Sequence, residues 1–290
     1  MTTMTATSPL IDPTGLRALG RTPMMPLVFD CRFDLARPSS GEEAYSQGHI
    51  PGALYLHLER HLSAMPPAPA LCGGRHPLPP REVFAATMAA QGLRPGRPVV
   101  VYDAAQGMYA ARAWWMLRWI GHEQVQVLDG GWAAWLASGG ATEAGVLAPT
   151  PAAATYPLPD RPTMQTIGVS ELLAQLDQVT VIDARAPERY RGETEPLDPV
   201  AGHIPGALNH PFSTNLQPDG RFLDSATLRA RFDALLGSMP SRAVVQQCGS
   251  GVTACHNLLA MAVAGRGDSC LYPGSWSEWC SDPTRPVARG

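Results

Sequence analysis

Short apolar runs alternate with amphipathic stretches along this chain, and the whole alternation occurs twice. In the first half, Leu27-Val28-Phe29 leads into Asp30-Cys31-Arg32, a strand ending in Asp-x-Arg. An amphipathic period runs from Arg81 to Gln91, followed by the β-branched run Val99-Val100-Val101-Tyr102 and a second helix. In the second half the matching segments are Val181-Ile182-Asp183-Ala184-Arg185, Thr227 to Leu236, and Ala243-Val244-Val245-Gln246. Such alternation predicts parallel strands covered by helices, an α/β fold.

The repeat is also literal. Gly48-His49-Ile50-Pro51-Gly52-Ala53-Leu54 returns as Gly202-His203-Ile204-Pro205-Gly206-Ala207-Leu208, and Gly130-Gly131-Trp132 is answered by Gly274-Ser275-Trp276. Ala141 to Pro162 is rich in Ala, Pro and Thr and has no periodicity, so it reads as an extended linker. The expected organisation is two homologous α/β domains, 10–140 and 163–285, joined by a linker at 141–162. A fused pair of this kind places its functional site in the crevice between the domains. His49 and His203, like Trp132 and Trp276, recur in both halves and are read as fold-keeping residues.

Composition narrows the chemistry. With 45% hydrophobic and 16% charged residues, a chain of 290 residues can build a core. No apolar run is long enough to predict a membrane-spanning helix. The net charge is −3, and no basic stripe argues for nucleic acid. All 22 basic residues are Arg, which removes Schiff-base and phosphate-loop lysines from consideration. The 6 Cys include no C-x-x-C pair, so a zinc site of the usual spacing is not expected. The polar segment Met1–Thr7 shows no signal-peptide pattern, and the expected setting is a reducing cytoplasm with free thiols.

The halves differ most after their central strands. Cys248-Gly249-Ser250-Gly251-Val252-Thr253 precedes a helix read to begin at Ala254, where the first half has Asp103-Ala104-Ala105-Gln106-Gly107-Met108. Aligned on the strands, Asp103 stands where Cys248 stands, so only the second half carries a nucleophile. Cys248 falls at the carboxyl end of a parallel strand and just before a helix N-terminus, where α/β sheets place ligands. Two glycines allow the backbone to turn several N–H groups inward as an anion cradle. Cradle and helix dipole are expected to favour a thiolate. Cysteine-based phosphatases also use such a cradle, but they need an Arg six positions after the Cys, and Ala254 stands there. A cradle without a cation suits a sulfur anion better than a phosphoryl group. Asp103 is expected to cap its own helix.

At these residues the chain resembles the rhodanese superfamily, in particular its two-domain sulfurtransferases. The Cys248–Thr253 loop is similar to that of 3-mercaptopyruvate sulfurtransferases, and the Gly-His-Ile-Pro-Gly-Ala segments and Gly-x-Trp turns support the resemblance. It implies a ping-pong reaction without metal or organic cofactor. Cys248 takes sulfur from a small-molecule donor as a persulfide, the N–H groups of Gly249, Ser250, Gly251, Val252 and Thr253 hold it, and a thiol such as thioredoxin or glutathione, or cyanide, removes it. Arg189 matches a substrate-binding Arg of the family. A second such Arg is missing from Glu193–Pro199, so Arg191 or an Arg of the first half would have to replace it. The resemblance further implies a relay of Ser250 with a His and an acid of the first half, with His76 and Glu59 as the candidates. Thiosulfate as the main donor, and a persulfide carrier without turnover, stand as alternatives. Cys255 is read as packed inside.

Overall fold

The computed structural model describes residues 8–152 and 154–290; the N-terminal segment read above for a targeting signal lies outside them. The first half forms five parallel strands, β1 (Leu10–Ile11), β2 (Leu27–Asp30), β3 (Leu54–Tyr55), β4 (Val99–Tyr102) and β5 (Val125–Leu128), in the order β1-β5-β4-β2-β3. The second half forms β6 (Thr180–Asp183), β7 (Leu208–Asn209), β8 (Val244–Gln247) and β9 (Cys270–Leu271), also parallel, in the order β7-β6-β8-β9. Leaving out β1, the two orders are the same. The counterpart of β1 is a single parallel bridge, Thr166 to Leu271.

Helices follow the strands: α1 (Pro13–Leu19), α2 (Ser40–Gln47), α3 (Leu58–His61), α4 (Arg81–Ala90), α5 (Met108–Trp119) and α6 (Gly131–Ala137) in the first half, and α7 (Val169–Ala174), α8 (Pro187–Tyr190), α9 (Ser225–Leu236), α10 (Thr253–Val263) and α11 (Ser275–Trp279) in the second. The helix expected at Thr227 starts earlier, at Ser225, because the Asp224 carboxylate accepts from the Thr227 N–H at 2.9 Å and caps it. α10 likewise starts at Thr253 rather than Ala254. No helix among the described residues is long and apolar enough to cross a membrane.

The repeated motifs build one recurring joint. Arg32 pairs with Asp30 and Arg185 with Asp183, each at 2.6 Å. Each guanidinium lies over the Trp of its own half, Trp132 at 4.9 Å and Trp276 at 4.8 Å. Each also donates to the Gly that opens the repeated segment, Gly48 or Gly202. His49 and His203 bond the carbonyls of Tyr45 and Tyr190 through Nδ1 and stack on those rings. Strand end, loop and Trp turn are thus held together in both halves.

The halves meet through α5 and α10, which pack on each other. Both helices are apolar around most of their circumference, as helices buried on all sides must be. A single apolar cluster runs across the seam, from Trp115 and Met116 to Leu258 and Leu259. The N-terminal ends of α5 and α10 therefore lie at the same seam, and these are the ends that follow Asp103 and Cys248.

Candidate active site

β8 is flanked by β6 and β9, so the residue that follows it, Cys248, leaves the middle of the sheet. Cys248 as a whole is 2% exposed and lines a cavity of about 230 Å³. Leu58, Arg75, His76 and Tyr109 enter that cavity from the first half; Arg185, Arg189, Gly249, Ser250, Val252 and Thr253 enter from the second.

The loop's shape is set by its backbone. Gly251 has φ +74°, and a Cβ there would fall 2.4 Å from the Pro273 carbonyl oxygen, so only glycine fits. The Cys248 N–H is held by Ser275 Oγ at 3.1 Å. The N–H groups of Gly249, Ser250, Gly251 and Val252 donate to no group among the described residues, and none is bonded to the Cys248 sulfur. They are unspent donors beside a thiol.

The first half shows what such a loop does with an anion. α5 begins at Met108 and α10 at Thr253, the same distance from Asp103 and from Cys248. Gln106, with φ 59°, stands where Gly251 stands. The Asp103 carboxylate accepts from the N–H groups of Ala105 (2.8 Å), Gly107 (2.9 Å), Tyr109 (2.8 Å) and Ala110 (2.9 Å). Burial pushes Asp103 up and these four donors pull it back. The carboxylate fills its own cradle, including the cap on α5.

Ser250 and His76 come together across the seam, with Oγ and Nδ1 2.7 Å apart. Burial and the charges of Arg112 and Arg75 push His76 down to about 3, so the ring is neutral at physiological pH. The tautomer with its proton on Nδ1 donates to Ser250 and leaves the serine hydrogen free for the cavity. Glu59 is not brought to this pair. It sits in the first turn of α3, makes no hydrogen bond to His76 or Ser250, and lines a neighbouring groove of about 690 Å³. Its helix is capped by His57 Nδ1.

Two guanidinium groups stand over Gly249. A Cβ at that residue would lie 2.9 Å from Arg75 Nη2 and 3.5 Å from Arg189 Nη1. Arg189 bonds Glu195 at 2.6 Å and Asp198 at 3.5 Å, and Arg75 pairs with Asp198. Burial raises Asp198 above the usual carboxylate range, with Arg75 opposing it. Arg191 instead pairs with Glu193 on the surface. The second guanidinium over Gly249, that of Arg75, comes from the first half in a loop pinned by Glu278 to the Gly73 N–H and by Ser277 to the Arg75 N–H. Sequence reasoning passed over Arg75, although it adjoins His76 behind two glycines. It also passed over Tyr109 and Arg185, which line the cavity. Cys255 points its thiol at the Gly251 carbonyl (3.3 Å) and burial pushes it up to about 12, so it packs inside.

Residues 15–138 and 168–282 each match the Rhodanese-like domain. The chain is 50% identical over 267 residues to a Pseudomonas aeruginosa protein named as a probable 3-mercaptopyruvate sulfurtransferase, covering 91% of this chain and 92% of that one. It is 44% identical over 264 residues, 91% of this chain and 90% of the other, to Mycobacterium tuberculosis SseB, whose name proposes a thiosulfate sulfurtransferase. Among solved structures, the 3-mercaptopyruvate sulfurtransferase of Leishmania major matches with a TM-score of 0.81 and 30% identity, over 94% of this chain and 74% of that one. The chain belongs to the rhodanese family, as two tandem rhodanese-like domains. Within that family it is an enzyme, a sulfurtransferase.

Proposed function

We propose that the enzyme moves sulfur from 3-mercaptopyruvate to a thiol through a persulfide on Cys248, releasing pyruvate. The Cys248 thiolate attacks the donor sulfur. The carbon–sulfur bond breaks, its electron pair leaves on carbon as pyruvate enolate, and that carbon takes up the proton shed by the transferred sulfur. Cys248 is left with an anionic outer sulfur. Ser250, oriented by neutral His76, is placed to pass that proton. An acceptor thiolate then attacks the outer sulfur and frees Cys248.

The observation that carries this reading is the unspent set of N–H groups from Gly249 to Val252 beside Cys248, in a loop whose counterpart wraps four N–H groups around a carboxylate. None reaches the Cys248 sulfur itself, which suits an atom one bond further out. The donor assignment rests on Arg75 and Arg189. They stand at the mouth rather than in the loop, and a guanidinium fork suits a carboxylate. Both are already matched by Glu195 and Asp198, so the site offers little surplus positive charge to a compact dianion such as thiosulfate. The neighbouring groove shares Arg75 and His76 with the cavity and exposes Met65 and Leu197, which supports an acceptor thiol such as thioredoxin or glutathione arriving from that side.

The deciding experiment compares kcat/KM for mercaptopyruvate and thiosulfate under one set of conditions. Mercaptopyruvate is expected to be preferred by at least about tenfold, and the reverse preference overturns the donor assignment.

A further inference from the structure

Arg112 lies in α5 and is fully buried. Among the described residues no carboxylate pairs with it; its guanidinium donates to carbonyl oxygens and lies beside the Cys255 thiol. Nη1 donates to Gly251 at 3.0 Å, Nη2 to His76 at 3.1 Å and Leu62 at 3.3 Å, and Nε to Leu62 at 3.4 Å. A buried charge without a counter-ion is expensive, and its neighbours indicate what it is for. Gly251 belongs to the Cys248 loop of the second half; His76 carries the imidazole that holds Ser250. The peptide group is planar and trans, so drawing the Gly251 carbonyl toward Arg112 aims the following N–H, that of Val252, the opposite way. That N–H is one of the unspent donors, and Val252 lines the Cys248 cavity.

The first half carries the reciprocal contact. Gln106, the counterpart of Gly251, has its carbonyl bonded by His256 Nε2 at 3.1 Å, again from the helix of the opposite half. Burial pushes His256 down to about 4, so this cap is neutral. The loop that owns a carboxylate, Asp103, thus has an uncharged cap. The loop that owns only a thiol has a cation.

We infer that Arg112 is a positioning residue for sulfur transfer: its buried charge, held on the Gly251 carbonyl, makes the Cys248 loop receptive to an anionic sulfur and keeps Ser250 in register with His76. The inference rests on the persulfide reading of Cys248.

The test compares the full-length enzyme with Arg112→Met and Arg112→Lys. Three quantities are measured: kcat and KM for mercaptopyruvate, the rate of iodoacetamide alkylation at Cys248, and thermal melting. Arg112→Met is expected to stay folded, to hold KM within about threefold and to lose about 100-fold in kcat. Alkylation of Cys248 slows in parallel. Arg112→Lys, which restores the charge, regains at least about tenfold of the loss. A Met variant within about threefold of wild type in kcat overturns the inference, as does a folded Lys variant no better than the Met variant. If Arg112→Met does not fold, the Lys variant decides alone: kcat within about tenfold of wild type supports the role of the charge, and a fall to the level of Cys248→Ser contradicts it. Failure of the wild type to load sulfur on Cys248 would refute the persulfide reading itself, while the alkylation rates still report on Arg112.

Discussion

Asp103 and Cys248 stand at the same point of two equivalent loops, one holding a carboxyl group and the other a thiol. Four N–H groups close on the Asp103 carboxylate, while those of Gly249 to Val252 donate to no group among the described residues. One loop is filled by its own carboxylate; in the proposed reaction the other is filled by the outer sulfur of a persulfide.

Asp103→Ala should therefore be costly. It strands three buried N–H groups and the part-buried one of Ala105 and uncaps α5, a loss on the order of 3 kcal/mol. Urea unfolding should show a matching drop in midpoint at constant slope. A loss below about 1 kcal/mol would mean that water or a shifted backbone replaces the carboxylate.

Ser250 and His76 should behave as one unit. Ser250→Ala and His76→Gln are each expected to lower kcat for mercaptopyruvate by about 100-fold, and the double variant to do little more. Thiosulfate turnover should suffer less, because its sulfite leaving group needs no proton. Glu59→Gln, away from this pair, should stay within about twofold of wild type. Additive losses in the double variant would refute the coupling.

The guanidinium pair makes a binding prediction. Arg75→Gln and Arg189→Gln should each raise KM for mercaptopyruvate by at least about tenfold, and Arg191→Gln should leave it unchanged. An equal effect at Arg191 would show that long-range charge rather than direct contact is being read.

Stability should depend on pH through buried neutral histidines. Burial depresses His61 and His256 to about 4 and His76 to about 3. Below the ordinary value near 6.5 the unfolded chain binds protons that the folded chain refuses, so stability is full above that value and is lost as the pH falls toward 4. Tm should decline steadily from pH 7 to about pH 5, and His256→Asn should flatten the slope. A Tm that rises over this range would contradict the assignment.

Much of this is legible in the sequence because it is written by neighbouring residues. The strands, the repeated segments and the loop from Cys248 to Thr253 each need only local backbone chemistry. Arg189 was reached through the family resemblance alone. Arg75 was not reached, because it meets Gly249 only after the two halves dock. Glu59 was expected beside His76, but the stretch from Leu62 to Arg75 has no periodicity from which to read its path. Arg112 has a faint signal, one charge inside Ala110-Ala111-Arg112-Ala113-Trp114-Trp115. An Arg in so apolar a helix must find buried acceptors, but the pattern does not say that they lie in the other half.

The most direct measurement is the mass of the Cys248 peptide after one equivalent of mercaptopyruvate is added with no acceptor. A gain of one sulfur atom at Cys248, an equal amount of pyruvate, and loss of the added mass on treatment with a thiol are expected. Pyruvate release with an unmodified Cys248 peptide, or sulfur found on another cysteine, would contradict the persulfide mechanism.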